Sequence, residues 1–147
     1  MSAALLDVNV LVALAWPNHV HHGRAREWFR ARGGRGWATC PATQVGFVRV
    51  SSHPVLGPEA RRPLEAIDLL TRLVALAGHE FWHDDIEIVH LDWLRQAPLA
   101  SHRQLPDLHL VAVALAHGGR LATLDRKLPA ALPEFLDAST TVELVPD

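Results

Sequence analysis

The stretch LLDVNVL at residues 5–11 decides how this chain is interpreted. It belongs to an apolar run over residues 3–8 that is typical of a fully buried parallel strand. Asp7 lies at the predicted carboxyl end of that strand, and an apolar helix as far as Ala15 follows. A carboxylate within a hydrophobic run is costly to bury unless another group pairs with it. The stretch therefore predicts a strand followed by a helix, with an acidic side chain at the edge of a sheet.

Two more acidic residues occupy comparable junctions. Asp107 opens an apolar helix within LPDLHL at residues 105–110, and Asp125 ends a predicted strand within LATLDR at residues 121–126. Ligands of open α/β sheets bind beyond the carboxyl ends of the strands, so these residues and Asp7 are predicted to converge. Carboxylates about 5 Å apart repel by about 3 kcal/mol per pair at an effective dielectric of about 20. A hard cation such as Mg²⁺ or Mn²⁺ relieves that repulsion and prefers oxygen ligands.

Each of these aspartates also has a simpler interpretation. An Asp at the end of a strand can cap the following helix, and the dipole of a helix favours an anion in its first turn. For any one aspartate taken alone, the capping interpretation is favoured over the metal-binding one. The presence of three such residues in this order favours one shared site.

The remaining pattern predicts an α/β fold around a mostly parallel sheet, because strands alternate with helices. No repeat or linker divides residues 1–147, which are expected to form one domain. Residues 53–62 and 98–104 are predicted to be irregular. Extended segments are predicted at 37–39, 81–82, 86–89, 121–124 and 140–144, and further helices at 21–32, 41–51, 63–77, 91–96 and 107–117.

Composition sets limits on the class of protein. Hydrophobic residues make up 49% and charged residues 20% of the 147, which is typical of a globular protein. The formal net charge of −2 neither favours nor excludes a nucleic-acid partner. The lone Cys40 cannot form an internal disulfide, so a cytoplasmic location is expected. No signal peptide and no membrane span are expected, since Asp7 and Asn9 interrupt the first apolar stretch.

Five blocks in order make the chain resemble the PIN-domain ribonucleases, and among them the VapC-type toxins of bacterial toxin–antitoxin pairs. The resemblance covers nearly the whole length and implies a PIN-like α/β/α sandwich. It also implies Mg²⁺-dependent cleavage of RNA, inhibition by a cognate VapB-type antitoxin, and a homodimer. The blocks are LLDVNVL at 5–11, WATCP at 37–41, GFVRV at 46–50, LPD at 105–107 and GGRLATLD at 118–125.

The resemblance assigns roles to particular positions. Asp7 and Asp107 match metal ligands of the family, Asp125 matches a fourth acidic position that helps to hold metal or water, and Asn9 matches a polar position. One cation held by Asp7 and Asp107 would activate a water molecule for attack on the phosphate. Gln44 stands where the family usually has Glu, so one negative charge is lost. A second metal ion is therefore expected to be weakly bound or absent.

Two other functions stay open at this point. The first is a catalytically weakened PIN-fold protein that binds RNA or an antitoxin, favoured by the missing carboxylate at Gln44. The second is a phosphatase of the haloacid-dehalogenase type, which uses an Asp nucleophile after the first strand. That class needs a second Asp two residues after the first, where this chain has Asn9. It also needs a separately placed Lys, whereas the only Lys of this chain is Lys127, two residues beyond Asp125.

Two surface features are predicted as well. The apolar face of helix 63–77, or exposed tryptophans, could supply the contact of the implied homodimer. Arg24, Arg26 and Arg30 lie on the predicted helix 21–32, and they form either a solvated face or a contact with RNA.

Overall fold

The computed structural model describes residues 3–98 and 102–147, and these residues form a central five-stranded parallel sheet. The strand order is β3–β2–β1–β4–β5. Strands β2 and β3 extend the sheet on one side of β1, and β4 and β5 extend it on the other side. The strand order therefore reverses between β1 and β4, and α/β sheets bind ligands at such a topological switch point. The strands are β1 (Ala4–Leu6), β2 (Trp37–Thr39), β3 (His79–Phe81), β4 (Arg120–Thr123) and β5 (Val142–Leu144).

Helices cover both faces of the sheet, so the predicted α/β/α sandwich is confirmed. Successive strand side chains alternate between the faces: Leu5 and Leu121 pack with residues of α5 and α6, whereas Leu6 and Ala122 pack with residues of α1 to α4. The helices are α1 (Val8–Ala15), α2 (His22–Arg32), α3 (Pro41–Ser51), α4 (Pro63–Val74), α5 (Leu105–Ala116), α6 (Leu128–Ala131) and α7 (Ala138–Thr141). None of those in the described ranges has the length and apolar character needed to cross a bilayer.

Several predicted boundaries were wrong by about two residues, and at two of them an aspartate caps the helix beside the strand. The first strand ends at Leu6 and not at residue 8, since the Asp7 carboxylate accepts a hydrogen bond from the backbone N–H of Val8 at 2.7 Å and starts α1. The last strand begins at Val142 and not at residue 140, because Asp137 caps the short helix α7. Helix α5 begins at Leu105, so its aspartate lies in the first turn rather than opening the helix.

The irregular segments contain short 3₁₀ turns in place of the predicted structures. The predicted loop 53–62 holds a turn at Pro54–Glu59, and the extended piece predicted at 86–89 is instead a turn at Ile88–His90. The weak helix predicted at 91–96 is also 3₁₀, over Asp92–Gln96. In the predicted irregular stretch 98–104, residues 99–101 lie outside the described residues, and His102–Gln104 form another turn.

The apolar face predicted for helix α4 is only partly buried. Leu70 and Ala66 lie in the core, but Leu64 is 76% exposed and Ile67 is 44% exposed. The helix also ends at Val74, earlier than the predicted Ala77. Two large apolar side chains of α4 are therefore available for a contact outside this chain.

Gly46 brings α3 against the start of α1. A Cβ built at this position would lie 2.5 Å from Cγ2 of Val8, closer than real side chains approach. Since Val8 directly follows Asp7, the glycine allows α3 to pack beside the acidic edge of the sheet.

A buried ion pair joins α2 to β5. The Nη1 of Arg32 donates to both carboxylate oxygens of Glu143, at 2.6 and 2.7 Å, and Trp28 Nε1 donates to the same carboxylate at 2.6 Å. The Arg32 side chain is only 3% exposed. These contacts attach α2 to β5, the strand at one edge of the sheet.

Candidate active site

The three predicted aspartates lie at the carboxyl edge of the sheet, around the switch point. Asp7 follows β1, Asp125 follows the neighbouring β4, and Asp107 lies in the first turn of α5. The backbone N–H of Asp7 donates to the carbonyl of Ala122 at 2.9 Å, which joins the ends of the two strands. The charges of Asp7 and Asp125 both act on the Asp107 carboxyl group. The structure thus places the three carboxyl groups near enough to act on one another electrostatically.

Asp107 carries the clearest electrostatic signature of the site. Burial, and then the negative charges of Asp7 and Asp125, raise the pKa of Asp107 to about 7. Throughout residues 3–98 and 102–147, its carboxylate has no hydrogen-bond or ion-pair partner. The ionised form of Asp107 therefore lacks compensation within the part of the chain that is described.

Asp7 is both a helix cap and a member of this acidic group. It is 6% exposed; one carboxylate oxygen caps α1, and the other accepts a hydrogen bond from the Thr123 hydroxyl at 2.8 Å. Burial raises the pKa of Asp7, although these two hydrogen bonds oppose the shift, and the charge of Asp125 adds to it. The capping and shared-site interpretations are therefore compatible at this residue.

Thr123 links the acidic residues, a role that sequence reasoning missed. Its fully buried hydroxyl donates to Asp7 and accepts from the backbone N–H of Asp125 at 3.1 Å. Asn9 extends the same network: its Nδ2 donates to the Thr123 oxygen at 3.3 Å, and its Oδ1 accepts from the backbone N–H of Leu124 at 3.2 Å. The only signal in the sequence was a Thr at the end of a strand, two residues before an Asp.

Asp125 is partly engaged by the turn that follows it. Its Oδ1 accepts a hydrogen bond from the backbone N–H of Lys127 at 2.9 Å, which is the bond expected of an Asp that stabilises a turn. The residue is half-buried. Because its other oxygen is not used in this bond, Asp125 can still face a water or a cation.

Gln44 lies in the first turn of α3, directly after β2, and part of its side chain is already engaged. Its Nε2 donates to the hydroxyl of Thr39 at 3.0 Å, and that hydroxyl lies 2.8 Å from Nε2 of His79. Burial lowers the pKa of His79, which favours the neutral ring in this contact. The amide oxygen of Gln44 is the atom that remains for a cation or phosphate.

The donor set fits a hard divalent cation rather than a closed structural metal site. Within the described residues, no group of three or more His, Cys, Asp and Glu forms a ready-made metal cluster. Mg²⁺ does not need one, since it commonly binds one or two carboxylates and keeps several waters. The acidic centre offers oxygen donors only, and the repulsion that raises the pKa of Asp107 is the condition that a cation would relieve.

Comparison with known proteins agrees with this fold. A PIN domain model matches residues 4–131. Ribonuclease VapC39 of Mycobacterium tuberculosis (strain CDC 1551 / Oshkosh) is 46% identical over 125 residues, which are 85% of this chain and 90% of that protein. Ribonuclease VapC38 of strain ATCC 25618 / H37Rv is 50% identical over 123 residues, 83% of this chain and 84% of that protein. The chain therefore belongs to the PIN-domain family, in its VapC-type branch.

The raised pKa of Asp107 predicts that the metal-free protein becomes less stable as the pH rises. Between the ordinary value of 3.8 and about 7, the folded state holds a proton that the unfolded state releases. The contribution of Asp107 to the free energy of unfolding should therefore be fully present below about pH 4 and be lost toward pH 7, a change of about 1–2 kcal/mol after allowance for solvent screening. Urea unfolding in EDTA across this range measures the slope. Asp107→Asn should remove most of it, and an unchanged slope would contradict the assignment.

Proposed function

We propose that this protein is a metal-dependent endoribonuclease and the toxin component of a VapBC-type toxin–antitoxin system. The observation that carries the proposal is the meeting of Asp7, Asp107 and Asp125 at the switch point of a PIN-family sheet. The names of the relatives support it, since proteins 46% and 50% identical to this chain are ribonucleases. RNA is the proposed substrate, and a cognate VapB-type antitoxin is the proposed partner.

Asp7 and Asp107 would hold the cation, Mg²⁺ or Mn²⁺. Such a cation polarises the scissile phosphate and makes water more acidic. Thr123 fixes one oxygen of Asp7 and the backbone of Asp125, so the two strand-end carboxylates keep a constant relative position. The oxygen of Asp125 that does not accept the hydrogen bond from Lys127 would orient the attacking water. Asp107, whose pKa is raised to about 7 by burial and by the charges of Asp7 and Asp125, would supply the second carboxylate to the cation.

Cleavage of RNA by the purified protein tests this proposal. Total bacterial RNA should be cut in Mg²⁺ or Mn²⁺, left intact in EDTA, and cut again when Mg²⁺ is restored in excess. The missing carboxylate at Gln44 favours a second candidate, a catalytically weakened protein that binds RNA or an antitoxin. Folded protein that binds RNA but does not cut it in either metal would support that second candidate and overturn the first.

Restoring the family's acid through Gln44→Glu should tighten the binding of Mg²⁺. The change adds a negative charge beside a site that already holds about three carboxylates, and the amide oxygen is the free end of the side chain. We expect the midpoint of a Mg²⁺ titration to fall about threefold or more, and cleavage at limiting Mg²⁺ to rise.

The exposed Gln96 provides the matched control for this experiment, because Gln96→Glu adds the same charge on a separate 3₁₀ turn. Equal midpoints for the two variants would show that Gln44 does not face the acidic centre. The shift in midpoint for Gln44→Glu relative to Gln96→Glu is thus the decisive quantity.

We also propose that residues 1–147 form a single PIN domain that acts as a homodimer in the cytoplasm. Support for one domain comes from β5, which lies beyond the matched residues 4–131 and pairs with β4 in the same sheet. Tryptophans are poor candidates for the dimer contact, since four of the five are buried and Trp93 is partly buried against the core; the buried ones are Trp16, Trp28, Trp37 and Trp82.

Exposed Leu64 and Ile67 on α4 remain the candidate dimer contact. We expect sedimentation at micromolar concentration to give a dimer, and Leu64→Asp to shift it toward monomer. A wild-type protein that is monomeric with and without antitoxin would exclude the homodimer.

A further inference from the structure

Two arginines from distant parts of the chain meet on one carboxylate oxygen beside the acidic centre. The Nη1 of Arg24 lies 3.0 Å from Oδ1 of Asp147, and the Nη2 of Arg126 lies 2.6 Å from the same oxygen. Two guanidinium groups on one oxyanion form the kind of arrangement with which proteins bind phosphate. We propose that Arg24 and Arg126 form a subsite for an RNA phosphate next to the scissile one, and that Asp147 occupies this subsite in the RNA-free protein.

The register of the sheet explains why these residues meet. Thr123 of β4 pairs with Leu144 of β5, and the backbone N–H of Val145 donates to the carbonyl of Thr123 at 3.0 Å. The residues after β5 therefore continue alongside those after β4, so that Asp147 reaches Arg126. Because Arg126 directly follows Asp125 in the chain, the subsite borders the proposed catalytic centre.

Arg24 is held in position by contacts other than the ion pair. Its Nε donates to Nδ1 of His21 at 3.1 Å, and its Nη1 donates to the carbonyl of Pro146 at 3.3 Å. Its side chain is 20% exposed, whereas Arg26 and Arg30 on the same helix are exposed residues. Of the three arginines singled out in the sequence, Arg24 is the one that contacts the residues after β5.

The negative charge of the molecule explains why RNA binding would need cationic side chains at this position. The net charge is −2 and the centre concentrates three carboxylates, so a polyanion is repelled where it must be cut. Cations beside the centre supply the phosphate contacts on which nucleic-acid affinity depends. Asp147 is 84% exposed, and ion pairs at such a surface contribute little stability, so an RNA phosphate displaces it readily. This inference rests on the proposed ribonuclease function, because RNA is the ligand.

The test measures RNA binding separately from cleavage. Fluorescein-labelled oligouridine is titrated in EDTA at several NaCl concentrations, with Arg24→Met, Arg126→Met and Asp147→Asn. The matched controls are Arg62→Met and Glu65→Gln, which alter an exposed ion pair of 3.1 Å at the start of α4. They change the net charge by the same amounts. The backbone N–H of Arg61, the residue before Arg62, donates to the carbonyl of Ser51 at the end of α3. Gln44 lies in the first turn of the same helix, so the control pair is near the other end of α3.

Each subsite arginine should account for about one phosphate contact. We expect Arg24→Met and Arg126→Met each to lower the slope of log affinity against log salt by about 0.7, the value for a single strand. Asp147→Asn should tighten binding at low salt by about two- to fivefold, since it frees both arginines. Arg62→Met and Glu65→Gln should leave the slope unchanged. Slopes for Arg24→Met and Arg126→Met that equal that of Arg62→Met would overturn the subsite.

Two parallel measurements separate the possible failures. If the wild type cleaves RNA in Mg²⁺ but Arg24→Met and Arg126→Met leave the salt slope unchanged, the subsite is wrong and the proposed function stands. If the wild type neither binds nor cleaves RNA, the subsite and the proposed function are both wrong. Oligoglutamate serves as a probe for an acidic peptide. If Arg24→Met and Arg126→Met weaken its binding but not that of oligouridine, the pair recognises a protein, and the RNA assignment is wrong.

Discussion

Asp7→Asn and Asp107→Asn are each expected to reduce RNA cleavage by about a thousandfold and to leave the protein folded. A bound cation contributes several kcal/mol to the transition state, and each 1.36 kcal/mol corresponds to a factor of ten in rate. Asp107→Asn should also stabilise the metal-free protein near pH 7, because it removes the charge that burial and its neighbours make unfavourable. At Asp7, an Asn oxygen can still accept the N–H of Val8 and maintain the cap of α1.

Cleavage rates together with unfolding curves for the same preparations check this prediction. Asp68 on α4 is exposed, so Asp68→Asn removes one negative charge away from the sheet edge and should cleave RNA like the wild type. If Asp7→Asn and Asp107→Asn both lost their fold along with their activity, these residues would be structural caps and not the centre of a nuclease.

Glu143→Gln is expected to lower the free energy of unfolding by about 3–5 kcal/mol. The substitution keeps the size of the side chain but removes the charge that neutralises the Arg32 guanidinium, which is 3% exposed. Removing one member of a buried ion pair is strongly destabilising, because the desolvation of the remaining charge is no longer offset by the opposite charge. Glu143→Gln also weakens the hydrogen bond from Trp28 Nε1, because a neutral amide oxygen is a poorer acceptor than a carboxylate. Both contacts that attach α2 to β5 through Glu143 are therefore weakened.

Urea denaturation measures this loss, and Glu65→Gln is the control. Glu65 pairs with Arg62 on the exposed start of α4, where solvent screens the interaction, so its substitution should leave the denaturation midpoint unchanged. Equal midpoints for Glu143→Gln and wild type would contradict the structural role of the buried pair.

The positions of Asp7, Asp107 and Asp125 could be predicted from sequence because the fold is built from parallel strands. Burial on both faces gives each central strand a continuous apolar run, which makes the residue at its carboxyl end easy to locate. All parallel strands present that end at the same edge of the sheet, so residues more than a hundred positions apart are expected to meet there. Asp107 could be located in a similar way, because it lies in the first turn of an apolar helix whose start is visible in the sequence.

Contacts that depend on side-chain direction could not be predicted in this way. The Thr123 hydroxyl bonds to Asp7, yet a buried Thr at the end of a strand has the same apolar pattern as any core residue. The pairing of Arg32 with Glu143 depends on how α2 packs against an edge strand whose start was itself misplaced. Leu64 and Ile67 followed the helical period but lie outside the core, because periodicity identifies an apolar face without showing what covers it.

Thermal unfolding at increasing Mg²⁺ concentration, for the wild type and for Asp107→Asn, tests most directly whether the acidic centre binds a divalent cation. A ligand at a hundred times its dissociation constant stabilises the folded state by about 2.7 kcal/mol, which raises the Tm of a domain of this size by about 5–10 °C. We predict a rise of this order for the wild type in Mg²⁺, and little or none for Asp107→Asn. Equal rises in the two proteins, or no rise in either, would contradict a metal site formed by Asp7 and Asp107.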